Sequence, residues 1–227
     1  DTRWGEKDII KHLSLRSNRA YFADLFRKGG FRSGMEVGVA GGRFSQHFLS
    51  VNDQDIFWHM VEPFPNNELK TRFHISNGTA NFEHGLWDKK QIGRRAFKIF
   101  SRHLSMDDKL LQDIPDQGFD FIYLDGAHDY KNVRLELPAY YKKIRPGGVL
   151  AGHDFCTYGE PTLQCLGCSV VPRCGKYTEY GVARGKPDGA VSNQAGVVSA
   201  VQEWLVEEQS ELRVYYTAED FTREGLG

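Results

Sequence analysis

The feature that most constrains the fold is a short strand that ends in glycines and opens directly into a helix, Glu36-Val37-Gly38-Val39-Ala40-Gly41-Gly42-Arg43-Phe44-Ser45. Residues 35–39 read as a strand, and a helix starts near Arg43 and runs to about Leu49. Glycine suits such a turn because the backbone bends tightly there and approaches a ligand without an intervening Cβ. In a doubly wound sheet this turn lies at the carboxyl edge of a strand, where ligands bind. The rest of the chain keeps the alternation. An amphipathic pattern over 6–29 stops at Gly29 and Gly30. Strands follow at 56–61 and 97–100. The near-continuous apolar run at 119–124 marks a strand buried on both faces. A helix over 132–144 ends at Arg145-Pro146-Gly147-Gly148, then come a strand at 149–152, an amphipathic segment at 197–206 and a last strand at 212–216. Strands alternating with helices predict an α/β fold, a doubly wound, mostly parallel seven-stranded sheet with helices on both faces.

Length and charge narrow the function. The 227 residues fit one domain, 1–227, with a Cys/Gly/Pro-rich insertion at about 155–190. Lys plus Arg is 29 against 30 for Asp plus Glu, so no basic surface for nucleic acid is expected. No apolar run is long enough to cross a bilayer. The chain begins at Asp1 rather than Met, which leaves a removed leader, and with it the cellular address, open. Oligomeric state is not legible.

The glycine turn admits two cofactor readings. A dinucleotide site wants G-x-G-x-x-G, so that a pyrophosphate sits on the helix amino end. Here Ala40 stands two residues after Gly38, and Glu36 precedes the first glycine. A carboxylate repels pyrophosphate but suits a ligand that carries an ammonium group. Glu62, at the end of the next strand, is placed to accept ribose hydroxyls of any nucleoside cofactor.

With Glu36, Gly38, Gly42 and Glu62 in this order, the chain resembles the class I S-adenosylmethionine-dependent methyltransferases. The resemblance implies that these residues bind S-adenosyl-L-methionine. It also implies that Ser105, after the third strand, lies near the adenine.

Two further strand ends carry polar clusters, Asp125-Gly126-Ala127-His128-Asp129-Tyr130 and Gly152-His153-Asp154. A right-handed crossover makes the two strands parallel neighbours, about 4.8 Å apart. Asp125 and Asp154 then meet at one edge, and two carboxylates that close need a proton or a cation between them. A hard divalent cation is the expected solution, magnesium first, with His153 as a third ligand. His128 is the expected general base, since neutral imidazole has the right basicity near pH 7, with Asp129 orienting the ring. The string DGAHDY, then Arg-Pro-Gly-Gly and Gly-His-Asp, resembles the metal-dependent sugar and macrolide O-methyltransferases and the cephalosporin-hydroxylase-like proteins. That resemblance implies a metal-assisted O-methyltransferase acting on a sugar or glycosylated hydroxyl, with a histidine at the place of His128 as base. A catechol or phenolic acceptor is the alternative. A binding protein of the same fold, holding S-adenosylmethionine or a sugar without transfer, is another.

Cys156, Cys165, Cys168 and Cys174 crowd into nineteen residues. They suit one structural zinc or two short-loop disulfides, with four reduced thiols as the plain alternative. Asn77-Gly78-Thr79 is a glycosylation sequon of a kind common by chance.

Overall fold

A computed structural model of the chain describes residues 4–5, 7–9, 11, 21–52, 55–78, 82–88, 95–153, 155, 189–208 and 212. Asp154, the four cysteines, nearly all of the expected insertion and, apart from Leu212, the expected last strand lie outside the described residues. In chain order the elements are α1 (Tyr21–Lys28), β1 (Ser33–Val37), α2 (Arg43–Val51), β2 (Ile56–Val61), α3 (Asn67–Phe73), β3 (Phe82–Asp88), β4 (Arg95–Ser101), α4 (Asp108–Asp113), β5 (Phe119–Leu124), α5 (Tyr130–Tyr141), β6 (Ile144–Gly152) and α6 (Gly189–Glu208).

Among the described residues, six strands form one sheet in the order β3-β4-β2-β1-β5-β6. Every neighbouring pair is parallel except β3 with β4, which is antiparallel. From β1 the chain steps outward to β2 and β4, then returns to β5 on the other side of β1. The order therefore reverses at β1, and a crevice opens at the strand carboxyl ends there. The strands expected at 56–61 and 119–124 are present with those ends, and those expected at 35–39, 97–100 and 149–152 are present with adjusted ends. Three elements go beyond the sequence pattern: α3, α4 and the edge strand β3.

Helices cover both faces. On one, Phe26 of α1, Phe44 and Phe48 of α2, and Leu69 and Phe73 of α3 pack on Trp58, Phe121 and Tyr123 of the sheet. Phe48 stacks on Trp58 at 4.5 Å between ring centroids, and Phe44 on Tyr123 at 4.2 Å. On the other, Leu110 of α4, Val133, Leu137 and Tyr140 of α5, and Val197 and Trp204 of α6 cover Met35, Val37 and Ile122. Each such side chain, fully buried, contributes roughly 1.5–3 kcal/mol. Among the described residues no helix is long and apolar enough to cross a membrane.

Candidate active site

The strand ends are stitched together stepwise along the carboxyl edge. The Glu62 amide donates to the Ser101 carbonyl at 3.0 Å, Gly38 to Val61 at 2.9 Å, Asp125 to Val37 at 2.7 Å and His153 to Leu124 at 2.9 Å. These four bonds line up the ends of β4, β2, β1, β5 and β6, and so bring Glu62, Gly38, Asp125 and His153 to one edge.

The glycine turn is shaped by close packing. Gly38 has a φ of +86°, and a Cβ on it would fall within the backbone of Asp125 and Gly126. Gly42 has a φ of +77°, and a Cβ there would come within 2.6 Å of the Phe73 ring and 2.7 Å of Leu69. Ala40 is left-handed as well, with a φ of +48°. The backbone thus adopts a glycine-type conformation where a G-x-G pattern would place its second glycine. The Ala40 amide donates to Glu62 Oε2 and the Phe64 amide to Oε1, both at 2.9 Å. Glu62 therefore ties the turn to β2, and each of its oxygens keeps a second lone pair.

Glu36 lies on the side of β1 that faces α2. It is 1% exposed, and its carboxylate accepts the Ser45 hydroxyl, which in turn accepts the Trp58 indole N–H at 2.7 Å. The chain of bonds fastens β1 to the first turn of α2. Ser105 lies in the loop between β4 and α4, where its carbonyl accepts the Tyr140 hydroxyl at 2.7 Å.

At the other end of the crevice, the β5–β6 register sets Leu124 opposite Gly152. His153 is therefore level with Asp125. Asp125 Oδ1 lies 3.0 Å from His128 Nε2 and 3.1 Å from His153 Nδ1. The two rings stand 5.7 Å apart, and all three groups are half-buried. Asp129 does not orient His128, contrary to expectation. It caps α5 by accepting the Asn132 amide at 3.0 Å and the Asn132 side chain at 2.6 Å. Those bonds, the side-chain one first, hold its carboxyl below the usual range. Asp125 is a partner of His128.

The ligand atoms of Asp125, His128 and His153 all lie within 4.8 Å of one another, close enough to hold one cation. One carboxylate and two imidazoles fit a borderline divalent ion better than magnesium, which prefers an all-oxygen shell.

Sequence reading missed Glu136, an acid on the buried face of α5. Its position between Val133 and Leu137, one turn from Tyr140, was the available signal. Burial outweighs a hydrogen bond from Ser105 and raises its carboxyl above the usual range.

A glycine turn at the reversal point, an acid at the end of the next strand and a polar cluster on the same carboxyl edge belong to a doubly wound fold with one candidate site. A family model described as a methyltransferase domain matches residues 35–155. The chain belongs to that family, and it is a class I S-adenosylmethionine-dependent methyltransferase with a Rossmann-like fold. Among solved structures it resembles a candidate caffeoyl-CoA O-methyltransferase from Staphylococcus aureus, with a TM-score of 0.50 and 15% identity over 83% of this chain and 72% of that one. It also resembles the SAH-bound methyltransferase PaMTH1 of Podospora anserina, with a TM-score of 0.49 and 12% identity over 90% and 81%. No curated protein matches it.

Proposed function

We propose that the chain transfers the methyl group of S-adenosylmethionine to a hydroxyl of a small molecule, a sugar or glycosylated compound in the first place. The observation that carries this reading is the gathering of His128 and His153 on the Asp125 carboxylate, across the crevice from Glu62 and the glycine turn. The donor rests on the turn, with its ribose on Glu62. Glu36 acts from below by holding α2 in place, and Gly38 and Gly42 allow the turn its shape. Ser105 lines the base end.

Transfer is an in-line displacement in which the acceptor oxygen bonds the methyl carbon as the sulfonium–methyl bond breaks. His128 accepts the hydroxyl proton, and Asp125 orients the ring and stabilises the imidazolium that forms. The test is a screen of sugars and phenols for a gain of one methyl by mass spectrometry, followed by His128→Ala. That variant should lose about a hundredfold in turnover with donor affinity unchanged. Near-normal turnover would remove His128 from the chemistry. The phenolic arm of the screen covers the acceptor class named for the Staphylococcus aureus neighbour. Failure to methylate anything would favour a binding protein.

The three-residue cluster supports a second reading, in which Asp125, His128 and His153, joined by Asp154, hold a divalent cation. A bound cation would lower the pKa of the acceptor hydroxyl. His128 would then be a ligand instead of the base. Metal analysis of the purified protein, and turnover after chelation, separate the readings, since an acid–base dyad keeps its rate without metal.

A further inference from the structure

The glycine turn is gripped from two sides. Glu62 takes the Ala40 amide from the β2 side. From the other side α3 lies against the turn, with Leu69 and Phe73 packed on Gly42, and its last turn carries Arg72. The Arg72 side chain is 20% exposed. Its guanidinium donates from Nε to the Gly41 carbonyl at 2.9 Å, from Nη1 to the Gln46 side chain of α2, and from Nη2 to Glu68 at 2.6 Å. One planar fork thus joins the turn, the helix that follows the turn and the helix that carries the fork.

Glu68 steadies the fork in return. Its carboxylate also accepts Arg43 Nε at 3.3 Å, and these bonds, that from Arg72 first, hold it below the usual carboxylate range. Pinned in this way, Glu68 Oε2 would stand 2.7 Å from a Cβ on Gly41. Gly41 is not left-handed, so the pinned carboxylate, and not the backbone angle, is what favours glycine there. A peptide between two glycines turns over at little steric cost, and Gly41-Gly42 is such a pair. Both polar ends of that peptide are occupied. The Gly41 carbonyl accepts from Arg72, and the Gly42 amide donates to the Val39 carbonyl at 2.8 Å. The Val39 bond lies within the turn itself. The Arg72 bond ties the peptide to a helix outside it.

We infer that Arg72 is a positioning residue for the methyl donor, holding the glycine turn in its binding shape through the Gly41 carbonyl before the donor arrives. The inference rests on the S-adenosylmethionine reading, and it concerns a residue that acts through backbone rather than by touching the donor. Without the fork, the donor must order the Gly41-Gly42 peptide as it binds, and the entropy of that ordering weakens affinity. Lysine is a poor substitute, because one ammonium on a flexible stem does not reproduce a planar fork across three acceptors.

The experiment uses the full chain with S-adenosylhomocysteine as the probe. Calorimetric titration reads affinity, and hydrogen-exchange mass spectrometry over residues 38–46 reads the turn. Arg72→Ala should bind the probe roughly tenfold more weakly than wild type. In the free variant the turn should exchange faster than in wild type, and saturation with the probe should restore the wild-type rate. Arg72→Lys should fall between the two in both readouts. Methylguanidinium should recover part of the affinity of Arg72→Ala and leave wild type unchanged. A folded Arg72→Ala of wild-type affinity overturns the inference and leaves the donor reading intact. So does weak binding by a variant whose free turn exchanges as slowly as that of wild type. Wild-type protein that does not bind the probe overturns the donor reading, and this inference with it. If the alanine variant does not fold, Arg72→Lys decides, since wild-type affinity and exchange in that variant overturn the inference.

Discussion

At Gly38 the backbone is left-handed and pressed against the start of the Asp125 loop. A methyl group there meets two penalties, the conformational cost of a Cβ at positive φ and a collision with the Asp125 carbonyl. Gly38→Ala should destabilise the protein by at least about 2 kcal/mol and lower both donor affinity and turnover, because the displaced residue carries the histidine cluster. Denaturant unfolding and titration with S-adenosylhomocysteine check both, and a variant of wild-type stability would show that the turn can relax. The motif letters mark this glycine as necessary. That its neighbour is the Asp125 backbone rather than only a ligand is visible through packing alone. Glu36 gives the same lesson from the other direction. The letters suggest a carboxylate for a ligand's ammonium, and only the fold shows that it is buried and accepts the Ser45 hydroxyl.

Among the elements, α5 connects stability to the site most directly. Asp129 caps its first turn, and His128 is the residue just before that cap. Asp129→Ala should cost about 1 kcal/mol, the usual value of such a cap. Turnover should fall more than donor affinity, because the loss frees the turn that aims His128 at Asp125. Thermal unfolding and steady-state kinetics measure the two effects, and unchanged kinetics in a destabilised variant would confine Asp129 to capping. The short helices α3 and α4 begin at the caps Asn66 and Asp107, signals present in the sequence but too brief to stand out against the surrounding loop residues. The strand β3 mixes Glu83, His84 and Gly85 among its apolar residues, so no run or alternation marks it. It forms because β4 offers an edge to pair with.

Across the whole molecule, the edge opposite the active site is held by one buried carboxylate. Asp120 accepts the Arg32 and Ser33 amides and the Arg145 guanidinium, which ties the entries of β1, β5 and β6 together. Burial pushes its carboxyl up, but these bonds prevail and hold it below the ordinary value of 3.8. The unfolded chain therefore takes up this proton first as the pH falls. The contribution of Asp120 is complete above the ordinary value and drains away as the pH drops through the lower folded one. Asp120→Asn should cost about 3 kcal/mol at neutral pH and flatten the acid limb of the stability profile. Denaturant midpoints between pH 2 and 7 report it, and an acid limb as steep as that of wild type would assign the effect to other groups.

What the sequence determined by itself is the alternation of strands and helices, the glycine turn and the polar residues that end each strand. Apolar runs, glycines and helix stops act over a few neighbouring residues and so are legible locally. Only the tertiary structure decided the strand order, the antiparallel edge, the inward turn of Glu36 and the buried oxygen of Glu136. It also decided that His153 stands level with Asp125. The reason is physical. Partners on separate strands are set by hydrogen-bond register, where a slip of one residue exchanges the faces of every side chain. Nothing in the local pattern of either strand distinguishes one register from the next.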